Sequence, residues 1–171
     1  MKAMKTLKNT ILYYDTFETS MGPFSIVVND TGAVLRTVFG NSASLRVYLG
    51  RNTARQSPAL VAPVREQVLE YLAGERTTFS IPLAVEKTAF QEVVWKALEQ
   101  IPYGETCDYQ EMARRIGNEK ASRAVGRAIG SNPVCVLIPC HRVIGADGSL
   151  TGYAFGIPIK KKLLNLEGVR I

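Results

Sequence analysis

The chain of 171 residues predicts an α+β fold in two parts. The first is a small N-terminal domain with an antiparallel sheet, residues 1–87. The second is a mainly helical C-terminal domain, residues 88–171, with a helix-turn-helix. Three observations predict this. Residues 11–40 carry β-branched and aromatic runs separated by turn residues. Near residue 87 the apolar spacing changes to the 3.6-residue period of a helix. Hydrophobic residues make up 46% of the chain, enough for a globular core in one domain or two small ones.

The segments "ILYYDTFET", "GPFSIVVND" and "GAVLRTVFG" read as a three-stranded antiparallel meander. Met21-Gly22-Pro23 and Asp30-Thr31-Gly32 supply its turns. A helix follows Ser57-Pro58, with Val61, Val64, Val68, Leu69 and Leu72 on one face and Gly74 as its stop. Residues 79–85 ("FSIPLAV") run extended, and Pro82 marks an edge or linker. Thr88-Ala-Phe-Gln91 is a capping box opening a helix with Phe90, Val93, Val94, Ala97, Leu98 and Ile101 at helical spacing. Ile101-Pro-Tyr-Gly104 ends it. Asp108-Tyr-Gln-Glu111 caps a short helix ending at Gly117, and a third helix covers about 121–130. Two short helices around a tight glycine-containing turn form a helix-turn-helix pattern. Residues 134–140 ("VCVLIPC") read as a short extended apolar segment, and 141–156 as a glycine-rich loop. A last helix begins at Pro158 and ends at Gly168.

The formal net charge is +6, and each half of the chain carries a basic surplus of three. A basic surplus favours an anionic partner such as nucleic acid, and no charged tail carries it here. The three cysteines, Cys107, Cys135 and Cys140, form no disulfide framework, which predicts a reducing, cytoplasmic setting. Together with the single His141 they lack the paired spacing of a zinc site. The first ten residues are basic without the apolar run of a signal peptide, and no stretch reaches the length of a membrane span.

The chemistry concentrates in Pro139-Cys140-His141-Arg142-Val143. Only the thiolate of cysteine is a nucleophile, and an ordinary thiol is a few per cent ionised at neutral pH, so a base must take its proton. His141 is the single imidazole in the chain. Neighbours in an extended segment face opposite ways, so contact between the two needs a bridging water or a turn at Pro139. A carboxylate would fix the imidazole tautomer, and Glu167 is a candidate. The residues alone leave open a structural cysteine beside an exposed histidine. The helix "ASRAVGRAIG" is rich in small residues that permit close approach to a surface. Its Arg123 and Arg127 share a face, suited to phosphate or a base stack. Two helices packed only for the core remain the alternative. A nucleophile beside a DNA reader implies chemistry on a base drawn out of the duplex.

"IPYGETCDYQEMARRIG", "ASRAVGRAIGSNP" and "IPCHRVIGADGSLTGYAFG" closely resemble the O6-alkylguanine-DNA alkyltransferases (methylated-DNA–protein-cysteine methyltransferases). The resemblance runs from about Phe90 to Gly168; residues 1–87 resemble the variable N-terminal domain, expected to be structural. It implies irreversible, stoichiometric transfer of an alkyl group from O6-alkylguanine in double-stranded DNA to Cys140 after base flipping, with O4-alkylthymine left open as a substrate. By resemblance, His141 deprotonates Cys140 through water and Glu167 orients the imidazole. Asn132 braces the active-site turn. Tyr109 assists flipping and proton transfer to the leaving guanine. Arg123 fills the vacated stack, with Gln110, Ala121, Ser122 and Arg127 beside it on the minor groove. Tyr109, Val143, Tyr153, Ala154 and Phe155 line the substrate pocket. The resemblance implies a monomer with no metal and no cofactor, since the thiol is itself the acceptor.

Three positions depart from the family pattern. Asp108 stands where Ser or Thr is usual, Ala154 lacks a hydroxyl for the guanine oxygen, and Phe155 is bulky where some members have Gly. A wide Phe155 predicts poor acceptance of benzyl-sized groups. Cys107 and Cys135 read as small core residues. Other classes fit less well. A non-catalytic lesion sensor on this scaffold would lack the acceptor cysteine. A helix-turn-helix transcription factor would carry more base-edge readers. A cysteine hydrolase would need a second, spatially adjacent histidine.

Overall fold

The computed structural model describes residues 11–171; the basic segment 1–10, read above against a signal peptide, lies outside the described residues. The chain forms two compact units, one through Glu86 and one from Lys87, and the fold is α+β.

In the first unit, β1 (Leu12–Thr19), β2 (Gly22–Val28) and β3 (Val34–Phe39) pair antiparallel in sequence. α1 (Ser42–Leu49) then crosses to β4 (Ala54–Gln56), which lies parallel to β1. The order is β3-β2-β1-β4, so the sheet is mixed rather than antiparallel throughout. Neither α1 nor β4 left a strong pattern. α1 buries only Leu45 and Leu49, and β4 is three residues of mixed polarity. A helix crossover is what a parallel neighbour requires. Residues 79–85 make a single bridge to β3 rather than a strand: Val34 N donates to Pro82 O (2.9 Å) and Ala84 N to Val34 O (2.8 Å).

α2 (Pro58–Leu72) starts at the Ser57 cap and packs on β1 and β2 through Val61, Val64, Val68, Tyr71 and Leu72. Leu69, expected on that face, is 39% exposed. One residue is a 100° step, so Leu69 leaves the stripe that Val68 occupies, whereas Tyr71, three residues on, returns to it.

In the second unit, α3 (Ala89–Glu99) carries the capping box, both of its hydrogen bonds present. Its buried stripe is Val94, Trp95 and Leu98; Phe90 and Val93, expected there, are 36% and 47% exposed. Trp95 sets this rotation, because its indole N–H donates to Ala128 O at 2.8 Å and places the largest ring inward. β5 (Cys107–Asp108) leads into α4 (Tyr109–Arg115), whose Asp108 cap accepts from Glu111 N at 2.8 Å. A 3-10 turn at Glu119–Ala121 precedes α5 (Ser122–Gly130). β6 (Val143–Ile144) pairs parallel with β5, and α6 (Ile157–Leu166) closes the unit.

Residues 134–140 are not extended, contrary to the sequence expectation. A bridge between Cys135 and Ile138 closes a tight turn in which Val136 has φ +74°. That is a strained region for a β-branched residue, costing about 1–3 kcal/mol. The Asn132 side chain substitutes for a strand partner: its Nδ2 donates to Ile138 O (2.9 Å) and its Oδ1 accepts from Val134 N (3.0 Å). Among the described residues no helix is long and apolar enough to cross a membrane.

Candidate active site

Pro139 (φ −81°, ψ 62°) makes an inverse γ-turn in which Cys140 N donates to Ile138 O at 2.8 Å. Cys140–Arg142 then form one 3-10 turn. Cys140 and its neighbour are therefore not on opposite faces of a strand. Cys140 is 9% exposed and His141 fully buried.

The imidazole lies in a buried polar chain. His141 Nε2 is 2.8 Å from Glu167 Oε1. Glu167 is the residue that ends α6 and is itself buried. Arg142 grips the same carboxylate, Nε on Oε2 at 2.9 Å and Nη2 on Oε1 at 2.8 Å, and its Nη1 donates to Ile101 O at 2.7 Å. Gly104 N adds a bond to Glu167 Oε2 at 3.3 Å. A side chain at 104 would sit 3.0 Å from Glu167 O, and φ there is +81°, so the glycine permits this close approach. An ionised carboxylate only accepts, so Nε2 carries the proton and Nδ1 is the basic nitrogen.

Burial dominates the ionisation of both key groups. It pushes the Cys140 thiol up, against the Asn132 hydrogen bond, the Lys160 charge and the N–H groups of residues 140 and 141, all of which favour thiolate. It pushes His141 below its ordinary range, against the pull of Glu167. At rest the thiol and the imidazole are thus both neutral.

The remaining expected residues divide into two groups. Tyr109, half-buried at the start of α4, donates its hydroxyl to Thr151 O at 3.3 Å. Val143 is buried, and Tyr153 packs edge-on against Phe155 with ring centroids 6.0 Å apart. Ala154 is exposed. Arg123 and Arg127 are exposed on α5, opposite its buried Val125, Ala128 and Ile129; Gln110 is exposed on α4, and Ala121 and Ser122 are partly so at the start of α5. Among the described residues no hydrogen bond or ion pair joins Gln110, Ala121, Ser122, Arg123 or Arg127 to the Cys140 cluster. Among the described residues no group of His, Cys, Asp or Glu could hold a metal ion.

Residues 89–169 match the family described as 6-O-methylguanine DNA methyltransferase, DNA binding domain. The chain is 43% identical over 157 residues to the methylated-DNA–protein-cysteine methyltransferase of Methanosarcina acetivorans, covering 92% of this chain and 99% of that protein. It is 41% identical over 159 residues to the constitutive enzyme of that name from Bacillus subtilis, covering 92% and 96%. The chain belongs to the methylated-DNA–protein-cysteine methyltransferase family. The structure agrees with that of Mycobacterium tuberculosis OGT in complex with DNA, at a TM-score of 0.81 and 40% identity over 91% of this chain and 92% of that one. The protein is accordingly a DNA-repair methyltransferase whose partner is DNA.

Two side chains of this methyltransferase site escaped the sequence reading. Arg142 lies inside the Pro-Cys-His-Arg-Val motif, where an arginine next to a histidine carries no sign that it is buried. Lys160 is fully buried, with Nζ 2.6 Å from Val143 O. Its signal was available: it sits three and four residues before Leu163 and Leu164, on the apolar stripe of α6, where a lysine is out of place.

Proposed function

We propose that the protein repairs DNA by a single irreversible transfer of an alkyl group from O6 of guanine to Sγ of Cys140, on a base turned out of the duplex. The buried His141–Glu167 bond beside Cys140 carries this reading. His141 Nδ1, relayed by a water, accepts the thiol proton, and Glu167 with Arg142 holds the ring in the tautomer that can do so. The thiolate attacks the alkyl carbon, the C–S bond forms, and the C–O bond breaks with its electron pair passing to the guanine. A proton delivered at the Tyr109 hydroxyl neutralises the leaving base. The thioether has no easy exit, so each protein acts once, and the reaction needs no cofactor.

The same reading takes α4 and α5 as a helix-turn-helix laid in the minor groove by a monomer. Exposed Arg123 enters the stack vacated by the base, and Gln110, Ala121, Ser122 and Arg127 lie along the strand. Flipping costs a few kcal/mol, less for a poorly paired lesion, and the guanidinium offsets part of it. Tyr109, Val143, Tyr153, Ala154 and Phe155 form the walls around the extruded base. The unit through Glu86 serves as structural support. The test is a titration of duplex carrying O6-methylguanine with increasing protein. Lesions removed should equal protein added and never exceed it; continued turnover would contradict the reading.

A further inference from the structure

Helix α5 ends at Gly130, two residues before Asn132, and leaves its last carbonyls to be satisfied. Ser131 N donates to Arg127 O at 3.0 Å and Asn132 N to Ile129 O at 3.2 Å. The carbonyl between them, Ala128 O, is passed over, and the next residue, Pro133, has no N–H to offer. Two side chains take that carbonyl instead: Trp95 Nε1 donates to it at 2.8 Å and Ser131 Oγ at 2.8 Å. Ser131 Oγ in turn accepts from Gln91 Nε2 at 3.0 Å. The Gln91 amide is occupied at both ends, since its Oε1 accepts from Thr88 N at 2.9 Å in the capping box of α3. A glutamate would complete that capping box equally well, and its charge would suit the start of a helix better than an amide. Only the amide has an N–H to give to Ser131. One chain of hydrogen bonds thus runs from the start of α3 to the end of α5, and Trp95 closes on the same carbonyl from the middle of α3.

We infer that Gln91, Ser131 and Trp95 are positioning residues of the alkyl-acceptor site: through their side chains α3 caps the end of α5 and so fixes Asn132. The inference rests on the proposed roles of Cys140 as acceptor and of α5 as the DNA-reading helix. Asn132 follows Ser131 directly, and its side chain holds Val134 N and Ile138 O in the turn that leads to Cys140. By passing over Ala128 O, the backbone tightens from a four-residue bond at Ser131 to a three-residue bond at Asn132. That tightening sets the direction in which Asn132 leaves the helix. The exposed Arg123 and Arg127 lie on the same helix, so a duplex bound there and the turn ahead of Cys140 share one frame. Duplex binding does not need the cap; alignment of Cys140 with the alkyl carbon does. Small displacements of reacting groups slow transfer without weakening binding.

The experiment is single-turnover methyl transfer to the full chain from saturating O6-methylguanine duplex, beside the affinity for the same duplex. Gln91→Glu keeps the capping box but offers Ser131 an acceptor, which draws its hydroxyl proton away from Ala128 O. This variant should melt as the wild type does, bind the duplex within about twofold, take up about one methyl per molecule, and transfer about three- to thirtyfold more slowly. Ser131→Ala should slow transfer to the same degree, and the double variant no further, because both act through one hydroxyl. Ser131→Thr keeps the hydroxyl and should transfer at the wild-type rate. Wild-type rates in Gln91→Glu and Ser131→Ala, or a defect confined to duplex affinity, would overturn the inference. So would losses that multiply in the double variant, or a Ser131→Thr as slow as Ser131→Ala. A wild-type protein that takes up no methyl at all would refute the reading of Cys140 itself, separately from the cap.

Discussion

His141 Nε2 and Glu167 Oε1 lie 2.8 Å apart, fully buried, and come from residues 26 positions apart in sequence. The carboxylate serves two partners at once, imidazole and guanidinium. Glu167→Gln keeps the shape but offers Arg142 a neutral oxygen and leaves a buried charge uncompensated. The expected cost is about 3–5 kcal/mol of unfolding free energy, measured by urea denaturation, together with a transfer rate well below wild type in the fraction that folds. Unchanged stability would mean that the buried network is not the one described.

The pH dependence has a definite sign. Burial lowers His141, so the imidazole stays neutral in the folded protein at and below the pH where an exposed histidine would charge. The base is therefore competent down through the ordinary histidine value of about 6.5, and the acid limb of the transfer rate should lie below it. Stability follows the same linkage. The unfolded chain takes up the proton first, so the contribution of His141 is present above the unfolded value and is lost as pH falls past it. An acid limb centred above 6.5 in a pH–rate profile would contradict this.

Asn132 joins two buried backbone groups that have left strand geometry, Ile138 O and Val134 N, and its side chain also favours the Cys140 thiolate. Asn132→Ala should cost about 1–3 kcal/mol for each group left unsatisfied. It should also slow the reaction of Cys140 with iodoacetamide, since the turn and the thiolate lose one support together. A fall in stability with unaltered thiol reactivity would separate the two roles.

Phe155 packs on Tyr153 in the stretch that Lys160 holds. Free O6-benzylguanine should inactivate the wild type slowly and Phe155→Gly faster. Rapid inactivation of the wild type would mean that Phe155 does not narrow the pocket.

Much of the C-terminal unit was legible because its signals are local. The capping box at Thr88, the Asp108 cap and the glycine stop at Gly168 each act within one helical turn. The antiparallel strands were legible for the same reason, through their turns. The parallel β4 was not, since its partner lies some 40 residues back and its three residues carry no alternation. Segment 134–140 misled because an apolar run reads alike as strand or buried turn. Its geometry is held by the side chain of Asn132, which the family resemblance, and not the apolar pattern, singles out. Leu69 on α2 and Phe90 and Val93 on α3 were expected inside but are exposed, where a single large ring, Tyr71 or Trp95, claimed the interior. At the site, adjacency revealed Cys140 and His141. Arg142 and Lys160 needed the folded neighbours, because a buried charge is recognised by what surrounds it.

The most direct test of the central claim is the intact mass of the protein after incubation with a duplex containing O6-methylguanine, beside a Cys140→Ala control. Replacing S–H by S–CH3 adds about 14 Da. The wild type should show that gain once per molecule and the control no gain. A wild type that binds the lesion without gaining mass, or a control that gains it equally, would contradict Cys140 as the alkyl acceptor.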